Sequence, residues 1–87
     1  MSAGVIAATL ARRMGDLPRA KLDIAQALRR SADDASVQLE AGNIAAAGGE
    51  AERAQAAWKE AARLAPDAPA GRSAANALTQ FAGDSPK

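Results

Sequence analysis

The sequence contains no cysteine and no histidine. Disulfide bonds, thiolate nucleophiles, imidazole general bases and the commonest zinc ligands are therefore excluded together. The chain also has no motif typical of a phosphate-binding loop, a nucleophile elbow or a metal site. These absences predict a protein that is not an enzyme and that binds no cofactor and no metal ion.

Aromatic residues are almost as scarce, because Trp58 and Phe81 are the only two. Alanine is abundant instead and supplies 26 of the 87 residues. Alanine is the strongest helix former, whereas strands favour aromatic and β-branched residues. A chain of this length has room for a single hydrophobic core. The composition therefore predicts one small all-α domain.

Long apolar segments and a large excess of charge of one sign are also absent. The run from Val5 to Ala11 is too short to span a bilayer, and its arginines follow it, whereas a secretory signal begins with its positive charge. The formal net charge of +1 argues against a generally basic nucleic-acid binder. We expect a soluble protein without a membrane segment, in either the cytoplasm or the periplasm.

Glycine, proline and aspartate residues divide the chain into five helical segments. Gly15 suits a turn, Asp16 is placed to accept a hydrogen bond from the first turn of the second segment, and the run at 33–34 offers an N-cap for the third. Pro66 ends the fourth segment, because the residue before a proline avoids the helical region. The predicted helices cover about residues 3–14, 17–31, 35–47, 51–65 and 69–83.

The chain is similar to itself at an offset of 34 residues. The turn residue Gly15 matches Gly49, and the bulky Ile24 matches Trp58. Further pairs at this offset are Leu10 with Ile44, Arg19 with Arg53, Ala20 with Ala54, Ala27 with Ala61 and Arg29 with Arg63. Two equivalent helical hairpins followed by one further helix are therefore predicted.

This spacing resembles the repeat of the tetratricopeptide (TPR) family. The family's 34-residue unit is a pair of helices with the pattern W-x2-L-G-x2-Y, then A-x3-F, then P. The corresponding residues are Gln38, Ala41, Gly42, Ala45, Ala54, Trp58 and Pro66. The small, later aromatic and proline positions match, whereas the first aromatic positions of the pattern are not aromatic here.

The resemblance implies a short TPR-like α-solenoid of stacked antiparallel helical hairpins. Residues 1–83 would form a single domain, with the first repeat at 1–34, the second at 35–68 and a capping helix at 69–83, before a polar tail at 84–87. A capping helix of this kind covers the apolar side of the last repeat. Asp67 is predicted to cap this helix, with Pro69 in its first turn.

The resemblance also implies a non-enzymatic scaffold that binds a peptide or protein partner in a concave groove. The groove positions are Ser2, Val5, Ile6, Thr9, Arg12, Arg13, Leu39, Glu40, Asn43, Ala47, Ser73, Ala77 and Gln80. Asn43 stands where some TPR domains hold the backbone of a bound peptide. Val5 replaces the basic residue that a clamp for C-terminal carboxylates requires, whereas Arg12 and Arg13 would attract an acidic partner.

Other prominent residues have structural explanations. Trp58 matches the large inward position of a repeat's second helix, so it is predicted to lie in the core. The acidic pairs at 33–34 and at Glu50 and Glu52 stand at helix starts, where capping and the helix dipole account for them. They indicate no general acid and base.

A DNA-binding module is one alternative. The segment from Leu10 to Gly15, followed by Ile24, resembles the start of a helix-turn-helix. Asp16 and Lys21, however, stand where that motif has apolar residues. The motif also leaves the 34-residue repetition unexplained, so we expect no nucleic-acid partner.

A self-assembly domain is the other alternative. An array that begins directly with its first helix has no N-terminal cap, so Val5, Ile6 and Leu10 are expected to leave apolar surface at that end. Core side chains as small as alanine also leave the monomer little apolar burial. We therefore expect a weak homodimer, or docking of a neighbouring repeat, through the first helix.

Overall fold

The computed structural model describes residues 3–84, and side chains for residues 4–81. Its five helices are α1 (Ala3–Arg13), α2 (Leu17–Ser31), α3 (Ala35–Ala47), α4 (Ala51–Leu64) and α5 (Pro69–Asp84). The described residues contain no strand, and the all-α prediction is confirmed. Helix α4 ends one residue earlier than predicted because Ala65, which precedes Pro66, already has an extended φ of −146°.

The turn between α1 and α2 is built around Gly15, whose φ is 83°. The Gly15 N–H donates to the carbonyl of Arg12 at 3.1 Å, and the Asp16 N–H donates to the carbonyl of Ala11 at 2.9 Å. This pair of bonds is the Schellman motif, which satisfies two carbonyls at the end of a helix. The predicted turn at Gly15 is confirmed.

The turn between α3 and α4 has the same geometry around Gly49, whose φ is 77°. The Gly49 N–H donates to the carbonyl of Ala46 at 3.1 Å, and the Glu50 N–H donates to the carbonyl of Ala45 at 2.8 Å. Each donor and acceptor stands 34 residues after its counterpart in the first turn. The two hairpins therefore turn in the same way.

Substitutions to alanine in the second turn should affect stability differently at the adjacent residues Gly48 and Gly49. Gly49→Ala should lower the free energy of unfolding by about 1–2 kcal/mol, because a left-handed conformation disfavours any Cβ. Gly48 has a φ of −87° and ordinary contacts at its Cβ position, so Gly48→Ala should be neutral or stabilising by up to about 1 kcal/mol. Urea denaturation measures both. Equal losses at the two positions would contradict the assignment.

Two predicted helix caps are present. The Asp16 carboxylate accepts from the Arg19 N–H at 3.2 Å, and the Asp34 carboxylate accepts from the Ser36 N–H at 2.8 Å. Each bond satisfies a backbone donor that has no partner inside its helix. The prediction that Asp16 caps α2 is confirmed, and within the predicted run at 33–34 it is Asp34 that caps α3.

The predicted cap of α5 is wrong by one residue. The carbonyl of Ala68 accepts the first bond of the helix, from the Arg72 N–H at 2.9 Å, so Ala68 and not Asp67 occupies the N-cap position. The Ala68 N–H itself donates to the carbonyl of Ala65 at 3.2 Å. This tight turn after α4 delays the start of α5 to Pro69.

Helix α3 is the centre of the fold, because it packs against each of the other four helices. Glu40 and Gly42 are both buried although they are two residues apart, which is about 200° around the helix, so burial is not confined to one face. A helix that packs on one side needs one apolar stripe, whereas a helix covered from several sides is apolar around its circumference. Within the described chain, α1 does not contact α5 and α2 does not contact α4. Each separation leaves a groove with α3 as its floor.

The core consists of two clusters that meet along α3. Helices α1, α2 and α3 contribute Val5, Ala8, Ala11, Ala20, Ile24, Ala27, Val37 and Ile44. Helices α3, α4 and α5 contribute Ala45, Ala54, Trp58, Ala61 and Ala74. Most of these side chains are alanine, so the helices approach closely and the few larger residues carry a large share of the buried apolar surface.

Trp58 is the largest member of the second cluster and is 5% exposed. Its ring packs edge-on against Phe81, with 5.5 Å between the ring centroids. Its Nε1–H donates to Asn43 Oδ1 at 3.2 Å. A Cβ at Gly42 would overlap the indole, so the absence of a side chain there makes room for the ring. The prediction that Trp58 is a core residue is confirmed.

None of the helices in the described residues combines the length and the apolar character that crossing a bilayer requires.

Candidate functional site

The groove between α1 and α5, called here the α1–α5 groove, has a volume of about 620 Å3. Its lining residues are Val5, Ile6, Thr9, Leu10, Arg12, Arg13, Ser36, Leu39, Glu40, Asn43, Pro69, Ala70 and Ser73. This lining contains every groove residue that was predicted on α1 and that the structure describes. It also contains three of the predicted groove residues of α3 and one of those of α5. Ser2 lies outside the described residues.

Three predicted groove residues lie elsewhere. Ala47 is the last residue of α3 and is exposed away from the lining. Ala77 packs against the second core cluster, and Gln80 is exposed on α5. Ala77 and Gln80 lie outside the lining because α5 contributes its first turn and not its middle to the groove.

Four further lining residues were not predicted, namely Leu10, Ser36, Pro69 and Ala70. Leu10 follows Ile6 by one helical turn, so the apolar spacing of α1 was a usable signal. Pro69 and Ala70 line the groove because α5 begins so close to the end of α4, and that approach depends on contacts between residues distant from the groove. No pattern in the local sequence predicts this approach of α5 to the end of α4.

The apolar part of the groove includes two large exposed side chains. Ile6 and Leu10 are 56% and 58% exposed, and Leu39 beside them is half-buried. Val5 was also predicted to leave apolar surface, but it is 2% exposed and belongs to the core, so that prediction is wrong. The reason is that Val5 faces α2 and α3, whereas Ile6 and Leu10 turn away from both.

The polar part of the groove contains a buried carboxylate. Glu40 is 4% exposed, and Thr9 Oγ1 donates to its Oε1 at 2.9 Å. Arg12 binds both carboxylate oxygens, through Nε to Oε2 and through a terminal nitrogen to Oε1 at 3.2 Å. A buried charge is tolerated when it is paired and hydrogen-bonded in this way. Arg12 is therefore occupied by α3, which corrects the expectation that it attracts an acidic partner.

Arg13 differs from its neighbour Arg12. It lines the groove and is exposed, and it forms no ion pair or hydrogen bond with any residue that the structure describes. Asn43 is partly occupied, since its Oδ1 accepts from Trp58. Its side-chain nitrogen remains a donor that a ligand can use. The groove thus offers one free guanidinium and one free amide donor beside exposed apolar side chains.

A second groove of about 630 Å3 lies between α2 and α4, over a different face of α3. The charged residues of this groove are paired with one another, because Glu50 forms an ion pair with Lys21 at 3.4 Å and another with Arg53 at 3.6 Å. Glu50 makes no capping bond with its side chain, so the explanation of Glu50 by capping is wrong. Ile6, Leu10, Met14 and Leu22, the exposed large apolar residues of the described chain, do not line this groove.

The ionisable groups with shifted pKa values lie outside both grooves. A hydrogen bond from Arg63 lowers the pKa of Glu60 below its ordinary value, and the same contact raises the pKa of Arg63. This pair is on the exposed surface of α4, where an ion pair contributes little to stability. Among the described residues, no cluster of three or more acidic side chains could hold a metal ion.

Comparison of the chain with protein-family models, with curated proteins and with solved structures finds no match. The fold itself defines a small all-helical protein with a repeat-like arrangement, in which five helices pack in succession and around α3.

Proposed function

We propose that this protein is a non-enzymatic, TPR-like interaction module whose α1–α5 groove binds a segment of a partner protein. The observation that carries the proposal is the exposure of Ile6 and Leu10 at the rim of that groove. Large apolar side chains grouped at a concave surface are typical of binding sites. Arg13 and Asn43 supply the few polar groups that give such a site its specificity.

Support for the TPR-like character comes from positions 34 residues apart. The two Schellman turns at Gly15 and Gly49 have equivalent bonds. Buried residues also coincide, since Ile24 and Trp58 are 6% and 5% exposed. The division of the chain into repeats at 1–34 and 35–68 stays a prediction.

The DNA-binding alternative has less support. In a helix-turn-helix the two helices cross at about 90–120°. Here Gly4, near the start of α1, lies against Ala27 and Arg30 near the end of α2. The helices therefore run alongside each other in opposite directions. Lys21 is exposed and paired with Glu50, so it does not fill the apolar position that the motif requires.

Self-assembly is a second candidate, and Met14 is the observation that favours it. Met14 is 74% exposed and follows Ile6 and Leu10 at intervals of one helical turn, but it does not line the groove. The apolar row that begins on α1 therefore continues to Met14, which lies one residue past the end of the helix and outside the groove. A second copy could cover the whole row, and the interface would be small because α1 has only 11 residues.

The test of the proposed function uses two leucines with nearly equal exposure. Leu10 lines the groove, whereas Leu22 is 57% exposed on α2 and lines neither groove. Peptides selected from a random library on the wild-type chain should lose binding to Leu10→Glu and keep binding to Leu22→Glu. Peptides that bind both variants equally would contradict the proposal.

The same variants test self-assembly. Sedimentation across a wide concentration range should show whether the wild-type chain associates. Association that disappears in Leu10→Glu and persists in Leu22→Glu would support the second candidate. A monomer at every concentration would exclude it and leave the groove to another protein.

A further inference from the structure

The α1–α5 groove carries an unbalanced positive charge. Its charged lining residues are Arg12, Arg13 and Glu40. Glu40 is buried and bound by Arg12, so these two charges neutralise each other. Arg13 has no partner among the described residues. The groove therefore presents a free cation and no free carboxylate, and it is complementary to an acidic group.

The positions of Ile6, Leu10 and Arg13 along α1 define the spacing that a bound segment must match. Leu10 follows Ile6 by four residues, which is about 6 Å along the helix axis, and Arg13 follows Leu10 by three residues, which is about 4.5 Å. Both intervals keep the three side chains on neighbouring parts of one helix face. A second helix lying beside α1 meets these groups at the same intervals.

The surrounding helices leave a place for such a segment. Within the described chain, α1 and α5 flank α3 without touching each other. The floor between them includes the half-buried Leu39 and the buried Glu40, whose charge is already neutralised. An amphipathic helix can lay its apolar face in a groove of this kind and place its polar residues at the rim.

We infer that the α1–α5 groove recognises an amphipathic, acidic helix of a partner protein. The helix presents apolar side chains at positions i and i+4 to Ile6 and Leu10, and an Asp or Glu at about i+7 to Arg13, or the reverse order if it runs antiparallel. The inference rests on the proposed function of the groove. It assigns partner specificity to Arg13 and an internal structural role to Arg12.

A second copy of this chain that pairs through α1 fits this surface less well. Helix α1 contains Arg12 and Arg13 and has no acidic residue. Two α1 helices packed against each other would bury apolar surface from Ile6 and Leu10 but would supply no carboxylate to Arg13. Charge complementarity therefore favours a different protein segment as the occupant.

The experiment uses random peptides of about 16 residues, long enough for four helical turns, selected on the wild-type chain. Synthetic copies of the selected peptides are then titrated against the wild type, Arg13→Glu and Arg29→Glu. Arg29 is a matched control, because it is exposed on α2, has no partner among the described residues and lines neither groove.

We expect Arg13→Glu to weaken binding about tenfold and Arg29→Glu to leave it unchanged, because only Arg13 faces the peptide's carboxylate. A charge exchange gives a sharper result. A peptide whose Asp or Glu is replaced by Lys should bind the wild type poorly and recover on Arg13→Glu. Circular dichroism should show helix formation by the peptide on binding.

The outcomes separate the inference from the proposed function. Binding that is lost in Leu10→Glu but is unaffected by Arg13→Glu, with no acidic residue shared by the peptides, overturns the inference and leaves the proposed function standing. Extended peptides that bind the groove without becoming helical also overturn it. If no selected peptide depends on Leu10, both the inference and the proposed function are wrong.

Discussion

Trp58→Ala is expected to lower the free energy of unfolding by about 3–5 kcal/mol, the usual cost of emptying a buried aromatic site. Trp58 is 5% exposed, and the other buried members of its cluster are alanines. Alanine side chains cannot move far enough to fill the space of an indole. The substitution also removes the hydrogen bond to Asn43 and the ring contact with Phe81.

Urea denaturation followed by far-ultraviolet circular dichroism measures this loss, because Trp58 is the only tryptophan and its fluorescence disappears with the substitution. Leu22→Ala is the control, since Leu22 is 57% exposed and should change the stability by less than about 0.5 kcal/mol. A loss of less than about 1 kcal/mol for Trp58→Ala would place the ring outside the core that holds the protein together.

Gly71→Ala is expected to be the most damaging addition of a single methyl group among the glycines whose surroundings the structure describes. A Cβ at Gly71 would overlap the carbonyl oxygen of Ala65 and lie 2.6 Å from its carbonyl carbon. These are backbone atoms at the end of α4, so no side chain can rotate to relieve the overlap. The start of α5 must move instead, and overpacking of this kind costs about 1–3 kcal/mol or more.

The fluorescence of Trp58 provides a local measurement, because Phe81 connects α5 to the indole ring. In Gly71→Ala the emission should shift toward that of a solvated indole, together with a loss of stability in urea. Gly48→Ala adds the same methyl group where the nearest atoms are 3.6 Å away, so it should leave the emission unchanged and should not lower the stability. A native emission spectrum and unchanged stability in Gly71→Ala would contradict the close approach of α5 to Ala65.

The groove residues of α1 can be predicted from their helical spacing, whereas the pairing of the charged residues in the groove cannot. Ile6, Thr9 and Arg13 recur at three and four residues, so one face of α1 was predictable once the helix was identified. The sequence treats Arg12 and Arg13 as two equivalent cations at a helix end. The two arginines differ only in the tertiary structure, because Glu40 of α3 pairs with Arg12 and leaves Arg13 without a partner among the described residues.

The sequence by itself determined the helices and the turns between the paired helices. Gly15 and Gly49 stand where φ is positive, and Asp16 and Asp34 accept bonds from residues two or three positions ahead. These features depend on neighbours along the chain, and the residues that produce them can be recognised in the sequence. The 34-residue interval between the two glycines can also be recognised in the sequence without any knowledge of the packing.

The tertiary structure alone decided which equivalent positions are buried and where α5 lies. Leu10 and Ile44 match at the repeat offset, yet they are 58% and 2% exposed. Ile44 belongs to α3, which has helices on several sides, whereas the outer face of α1 has no neighbour within the described chain. Burial depends on what another part of the chain places against a residue. Gly71 shows the same dependence, because its importance comes from the carbonyl of Ala65 and from nothing in its own helix.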